Sequence, residues 1–135
     1  MLTKCVFLSV ALAIVFSLSA CGPAPITFAD PNLEATIREA IDKPVGAILT
    51  SDVEGLTSLI ASERGIADLT GLEHCGSLTE LNVTGSQISD ITSLASLSNL
   101  LVLNLKGNQI GDVSPLASLT SLKGLNLVGN QISDV

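Results

Sequence analysis

From Leu56 onward, apolar residues recur with a period of 22. Leu56, Leu78, Leu100 and Leu122 open successive units, and Leu59, Leu81, Leu103 and Leu125 follow three residues later. The next column holds Ala61, Val83, Leu105 and Leu127, and Ile66, Ile88, Ile110 and Ile132 come after it. Leu69, Ile91, Val113 and Val135 form a further column, and Leu72, Leu94 and Leu116 close the back of each unit. A unit this short cannot bury its apolar side alone, so the period predicts supersecondary units stacked on one another. Strand side chains alternate in direction, so residues flanking the two buried strand positions point outward.

The stretch before the repeats carries a different period. Leu33, Ile37, Ala40 and Ile41 fall on one face of a helix. Asp30 stands at its N-cap and Pro31 at the first helical position, where a missing N–H costs nothing. Glu34–Arg38 and Arg38–Asp42 are spaced as i,i+4 pairs on the other side. Lys43-Pro44 ends the helix, and Ser51 to Glu54 has capping-box spacing for a second, short one. Further upstream, Gly22-Pro23-Ala24-Pro25 reads as a short stiff tether.

The chain begins MLTKCVFLSVALAIVFSLSACG, with an early Lys4, an apolar run to about Leu18 and a small-residue end. The run is shorter than the roughly 20 apolar residues a membrane-spanning helix needs, and the order of parts is that of a secretory signal. Leu18-Ser19-Ala20-Cys21-Gly22 resembles the lipobox of bacterial lipoproteins. The resemblance implies that residues 1–20 are a signal peptide and that Cys21 becomes a lipidated N-terminus. Gly22 in place of Asp points to the outer membrane or cell surface. The implied address is the bacterial cell envelope outside the cytoplasm, with the membrane engaged through the lipid anchor.

The repeat at its clearest reads L-x-x-L-x-L-x-x-N-x-I-x-D-V-S-P-L-x-x-L. It resembles the bacterial leucine-rich repeats of the internalin type, and the stretch from Phe28 to Leu59 resembles the helical cap that leads into them. The implied fold class is an α/β solenoid: an arc of parallel strands on the concave face, short 3-10 segments on the convex side, and a small helical N-terminal cap. The expected division is signal peptide 1–20, lipidated Cys and tether 21–27, cap 28–55 and repeats 56–135. The repeat units run 56–77, 78–99, 100–121 and 122–135, the last incomplete. In the family a buried Asn recurs in each unit. Here Asn108 and Asn130 hold that place, whereas Arg64 and Ser86 stand in the first two units, which are expected to be looser.

Composition narrows the chemistry. Hydrophobic residues make up 47% of the 135 but aromatics only 2%, so the core must be built from Leu, Ile, Val and Ala. Loss of Lys4 with the signal leaves five basic against thirteen acidic side chains, a net of −8. Without a clustered basic surface to neutralise phosphates, a nucleic-acid partner is excluded. Cys75 alone remains after Cys5 and Cys21 are accounted for, so no internal disulfide is available.

No catalytic motif stands out: there is no Gly-x-Ser-x-Gly turn, His-Glu-x-x-His helix or phosphate-binding Gly loop. The chain reads as a non-enzyme without cofactor or metal. Asp68, Asp90, Asp112 and Asp134 stack at the repeat period and are read as turn residues rather than metal ligands, with Thr70, Thr92 and Ser114 as N-caps two residues on. Cys75 replaces Leu in its column and is read as core; His74 beside it is read as exposed on the convex side.

The candidate binding face is therefore the concave one. It comprises Ser58, Ile60 and Ser62; Glu80, Asn82 and Thr84; Val102, Asn104 and Lys106; and Gly124, Asn126 and Val128. Asn82, Asn104 and Asn126 form an outward column, which repeat packing and cross-strand hydrogen bonding would also explain. The expected function is a protein-protein interaction or adhesion module with an unidentified protein ligand. The alternatives are a cell-wall or glycan attachment domain, or the targeting module of a larger protein with a downstream enzyme domain. Because the fourth unit stops before residues matching Pro115, Leu116 and Leu119, the native chain is expected to continue past Val135 with further repeats and a cap.

Overall fold

A computed structural model describes residues 22–133. Residues 1–20, Cys21 and the pair Asp134 and Val135 lie outside the described residues, so the signal, the lipidation site and the last turn of the Asp column are not placed.

The 22-residue period becomes a parallel sheet of four short strands: β1 (Ser58–Ile60), β2 (Glu80–Asn82), β3 (Val102–Asn104) and β4 (Gly124–Asn126). They are ordered β1-β2-β3-β4, with Leu59 beside Leu81, Leu81 beside Leu103 and Leu103 beside Leu125. Equivalent residues are therefore direct neighbours. The ladder continues past each strand: Ala61 N–H donates to Asn82 O at 2.7 Å, Val83 N–H to Asn104 O at 2.9 Å and Leu105 N–H to Asn126 O at 2.9 Å. Short 3-10 turns at Leu72–His74, Thr92–Leu94 and Ser114–Ser118 close the back. This is the expected arc of stacked units.

The predicted columns are the core. Leu59, Leu81, Leu103, Val83, Leu105, Ile66, Ile88, Ile110, Leu72, Leu94 and Leu97 are all buried. Cys75 is buried among them, and desolvation, with the nearby Glu73 charge, pushes its thiol up to about 11. It is a small apolar filler and not a nucleophile at neutral pH. Burial fades from the back of the third unit, where Val113 and Leu116 are half-buried, into the fourth, where Leu122 and Leu127 are half-buried and Leu125 is 47% exposed.

The cap begins with α1 (Pro31–Ala40), and Asp30 caps it by accepting from Asn32 N–H at 2.8 Å. Leu33 and Ile37 face the core as expected, with Ile41 half-buried behind them. Ala40 does not join them; it is exposed, and Thr36 takes the buried place by donating its hydroxyl to Asn32 O at 2.8 Å. Glu34–Arg38 forms an ion pair at 2.8 Å. The expected Arg38–Asp42 pair does not form. Asp42 leaves the helix in the left-handed region (φ 54°), and Arg38 instead donates to the carbonyls of Lys43 and Gly46. The second helix is a single 3-10 turn, Thr50–Asp52, whose Asp52 carboxylate accepts from Leu49 N–H at 2.7 Å and Lys43 Nζ at 2.6 Å.

The stretch read as a tether is fixed from Ala24 onward. Ile26 N–H donates to Ile48 O at 2.7 Å, Thr50 N–H donates to Ala24 O at 3.0 Å, and Pro25 bridges Leu49 antiparallel. Ile26 and Phe28 are buried. The Phe28 ring lies against Gly71, where an added Cβ would sit 2.5 Å from its Cδ1, and Gly71 has φ 106°. Only glycine satisfies both demands.

Candidate functional site: the concave face

None of the twelve positions assigned to the concave face is buried. The strand register lines up Ser58, Glu80, Val102 and Gly124 in one row, and Ile60, Asn82, Asn104 and Asn126 in the next. Ser62, Thr84, Lys106 and Val128 follow two residues on, at the same 22-residue spacing. Three apolar side chains stand out into solvent on this face: Ile60, Val102 and Val128. Glu80 accepts from the Ser58 hydroxyl at 3.3 Å.

The Asn column behaves differently from the cross-strand reading. Asn82 Oδ1 accepts from Thr84 N–H at 3.1 Å and from its hydroxyl at 2.6 Å. Asn104 Oδ1 accepts from Lys106 N–H and Asn126 Oδ1 from Val128 N–H, each at 3.1 Å. Each oxygen thus turns its own chain at the end of its own strand, the local bonding that Asn favours. The three side chains are half-buried. With each Oδ1 engaged, the amide NH₂ groups form the polar surface of the column.

The Asp column lies at the turn into the convex side. Asp68 Oδ1 accepts from Thr70 N–H at 2.8 Å, Asp90 Oδ1 from Thr92 N–H at 2.9 Å and Asp112 Oδ1 from Ser114 N–H at 2.9 Å. Each carboxylate thus accepts the backbone N–H two residues on, a local turn bond ahead of the 3-10 segment. Thr92 and Ser114 are the first residues of their 3-10 turns, and Thr70 stands before Gly71, so none of them is an N-cap as expected. The backbone N–H of Thr92 and of Ser114, each with its hydroxyl, lowers the pKa of Asp90 and of Asp112. Among the described residues no three His, Cys, Asp or Glu side chains are placed to hold a metal ion. No helix of the described residues is long and apolar enough to cross a membrane. His74 is exposed on the convex side.

What periodicity missed is how the first unit is secured. Arg64, standing where later units carry Asn, makes a two-point ion pair with Glu39 of α1, at 3.0 and 2.8 Å. Asp30 Oδ2 accepts from Ala67 N–H at 2.6 Å and Asp68 N–H at 3.1 Å, and Asn32 donates to Gly65 O at 3.2 Å. Cap and first unit are joined by polar bonds that no repeat pattern reveals. The signal available was the departure itself: a charged residue where later units carry Asn.

A leucine-rich-repeat solenoid is what this register, these columns and this convex lining define. Family models agree: one for leucine-rich repeats in two copies matches residues 98–135, and one for a single leucine-rich repeat matches residues 74–91. Among solved structures, an internalin (InlF) from Listeria monocytogenes is 35% identical with a TM-score of 0.81, covering 86% of this chain and 35% of its own. The functional domain of InlJ from the same species is 28% identical with a TM-score of 0.75, covering 80% and 24%. A Clostridium perfringens ZmpB structure of CBM51-2 and INT domains is 29% identical with a TM-score of 0.59, covering 73% and 22%. A comparison with curated protein sequences gives no match. The chain thus has the leucine-rich-repeat fold and is similar to these internalin structures, of whose length it spans about a third or less.

Proposed function

We propose that the chain is an envelope-anchored, internalin-like module that binds a protein partner on its concave face. The observation that carries this reading is the register: eight of the twelve positions stand in two aligned rows across the four strands, none of the twelve is buried, and Ile60, Val102 and Val128 are exposed among polar groups. Depletion of charge marks the core of protein interfaces, only Glu80 and Lys106 of the twelve positions are charged, and repeat arcs use this surface for partners. No Trp, Tyr or Arg stands on it, the residues that dominate binding hot spots. These twelve positions alone therefore supply a modest affinity.

The face is tested by Val102→Glu combined with Val128→Glu, two substitutions of exposed side chains that leave the buried columns and the Asn turn bonds untouched. Capture of a partner from cells by photo-crosslinking at Lys106 is expected in the unaltered chain and lost in the variant, with the circular dichroism unchanged. Equal capture by both would overturn the assignment. Anchoring through Cys21 and exposure at the cell surface rest on the lipobox resemblance. Mass spectrometry of the native N-terminus is expected to find a lipidated Cys21, and an unmodified one would overturn that part.

A further inference from the structure

The cap leaves the anchor almost no leash. Ala24 is already hydrogen-bonded to Thr50, and Pro25 is bridged to Leu49. Only Gly22 and Pro23 separate Cys21 from this ribbon. Three residue steps span at most about 10 Å even when fully extended. We infer that the lipid surface itself is the cap's partner: the ribbon end at Ala24 and Thr50, with exposed Ser51, Glu54 and Gly55 close by in the chain, is seated in the headgroup zone. This rests on Cys21 carrying the lipid.

The seat is imposed by the leash and not by attraction. The mature chain carries thirteen acidic against five basic side chains, and three of the five are already paired: Arg38 with Glu34, Lys43 with Asp52 and Arg64 with Glu39. Lys106 and Lys123 lie in the third and fourth units, away from the ribbon. A chain of this charge gains nothing from anionic headgroups. A tether this short nevertheless keeps the effective concentration of cap at the surface high, with no contact energy required. It also orders the repeats. The cap is bonded to the first unit, so β1 lies at the membrane-proximal end of the stack. Three strand spacings of about 4.8 Å each carry β4 about 14 Å farther along it. The concave face thus works close to the bilayer, not on a stalk.

The test uses the native lipoprotein in phosphatidylcholine vesicles, labelled on a new thiol at Ser51→Cys or at Thr120→Cys. Cys75 is buried and its thiol is held at about 11, so it stays unlabelled. Energy transfer to a headgroup acceptor is expected to be several-fold stronger from position 51 than from position 120. Inserting a flexible Gly-Ser linker between Gly22 and Pro23 is expected to lower the signal from position 51 towards that from position 120, because a longer tether dilutes the cap from the surface. Equal transfer from both positions without the linker, or no effect of the linker, would overturn the seat. Failure of the anchor is separate: an unmodified Cys21 in the mass spectrum, with the chain free of vesicles, would remove the premise without any transfer measurement.

Discussion

At the scale of single residues, the column of Asn108 and Asn130 shows what one side chain contributes to a stack. Asn108 is buried; its Oδ1 accepts from Ile88 N–H at 3.0 Å and its Nδ2 donates to Val83 O and Leu105 O at 2.9 Å. Asn130 repeats this with Ile110 N–H, Leu105 O and Leu127 O. Each amide therefore joins two units. Ser86 holds the same place in the second unit, and its hydroxyl is buried with no partner. A buried polar group left without a partner costs about 1–3 kcal/mol. Ser86→Asn would offer an acceptor to Ile66 N–H and donors to the carbonyls of Ala61 and Val83, by the register of its successors. The expected result is a gain of roughly 1–2 kcal/mol in urea unfolding, with an unchanged m-value. A loss would mean that the site cannot hold the larger side chain. The conformation of Glu63 is a smaller departure of the same kind. It sits at φ 57°, where later units place Gly85, Gly107 and Gly129, and left-handed backbone costs a non-glycine residue about 1–2 kcal/mol.

At the scale of elements, the junction between α1 and the first unit depends on Asp30. Burial raises the pKa of its carboxyl, but N–H groups of Ala67, Asn32, Asp68 and Leu33 together outweigh burial and hold it below the usual carboxylate range. A depressed folded pKa means stability that is fully present above the unfolded value and lost as pH falls through the folded one. Asp30→Asn removes the charge and one acceptor oxygen, and is expected to cost about 1–3 kcal/mol at neutral pH. Between pH 5 and pH 3 its stability should then fall less steeply than that of the unaltered chain. The remaining slope belongs to Glu39, Asp52, Asp90 and Asp112, whose pKa values are also lowered. Parallel acid limbs in chemical unfolding would show that Asp30 does not carry this linkage. The helix itself was legible: Asp30, Pro31 and the spacing of Leu33 and Ile37 announce it. Its docking was not, because Asp30 bonds Ala67 and Asp68 across the chain, and a partner that distant leaves no local period. Ala40 stays exposed and Thr36 is buried for the same reason, since propensity and spacing are weaker than the shape of the surface that a helix meets.

At the scale of the whole molecule, the repeats were legible almost residue by residue, since a 22-residue period in sequence becomes direct contact between equivalent residues. The twelve outward positions followed from strand alternation alone, whereas the fate of each Asn oxygen did not; whether it bonds its own turn or the next strand is a matter of side-chain direction. Periodicity also treats all units as equal, and the structure does not. Leu59, Leu81 and Leu103 are each about 1% exposed or less, while Leu125 in the same column is 47% exposed. In a stack, stability is a sum of unit terms and nearest-neighbour interfaces, and among the described residues Leu125 has a strand neighbour on one side only, the Leu103 of β3. Truncating a buried Leu to Ala costs about 2–5 kcal/mol, so Leu81→Ala and Leu103→Ala should fall in that range. Leu125→Ala should cost less than half as much, because much of its surface is wet before the change. Appending one further repeat with a polar end to residues 22–135 would cover that surface, and Leu125→Ala in the extended chain should then cost as much as Leu103→Ala. Urea unfolding of the three variants in both chains measures the gradient. A uniform cost across the column in the chain without the extension would show that Leu125 is already as well packed as its neighbours, and that the interfaces do not add along the stack as the contacts imply.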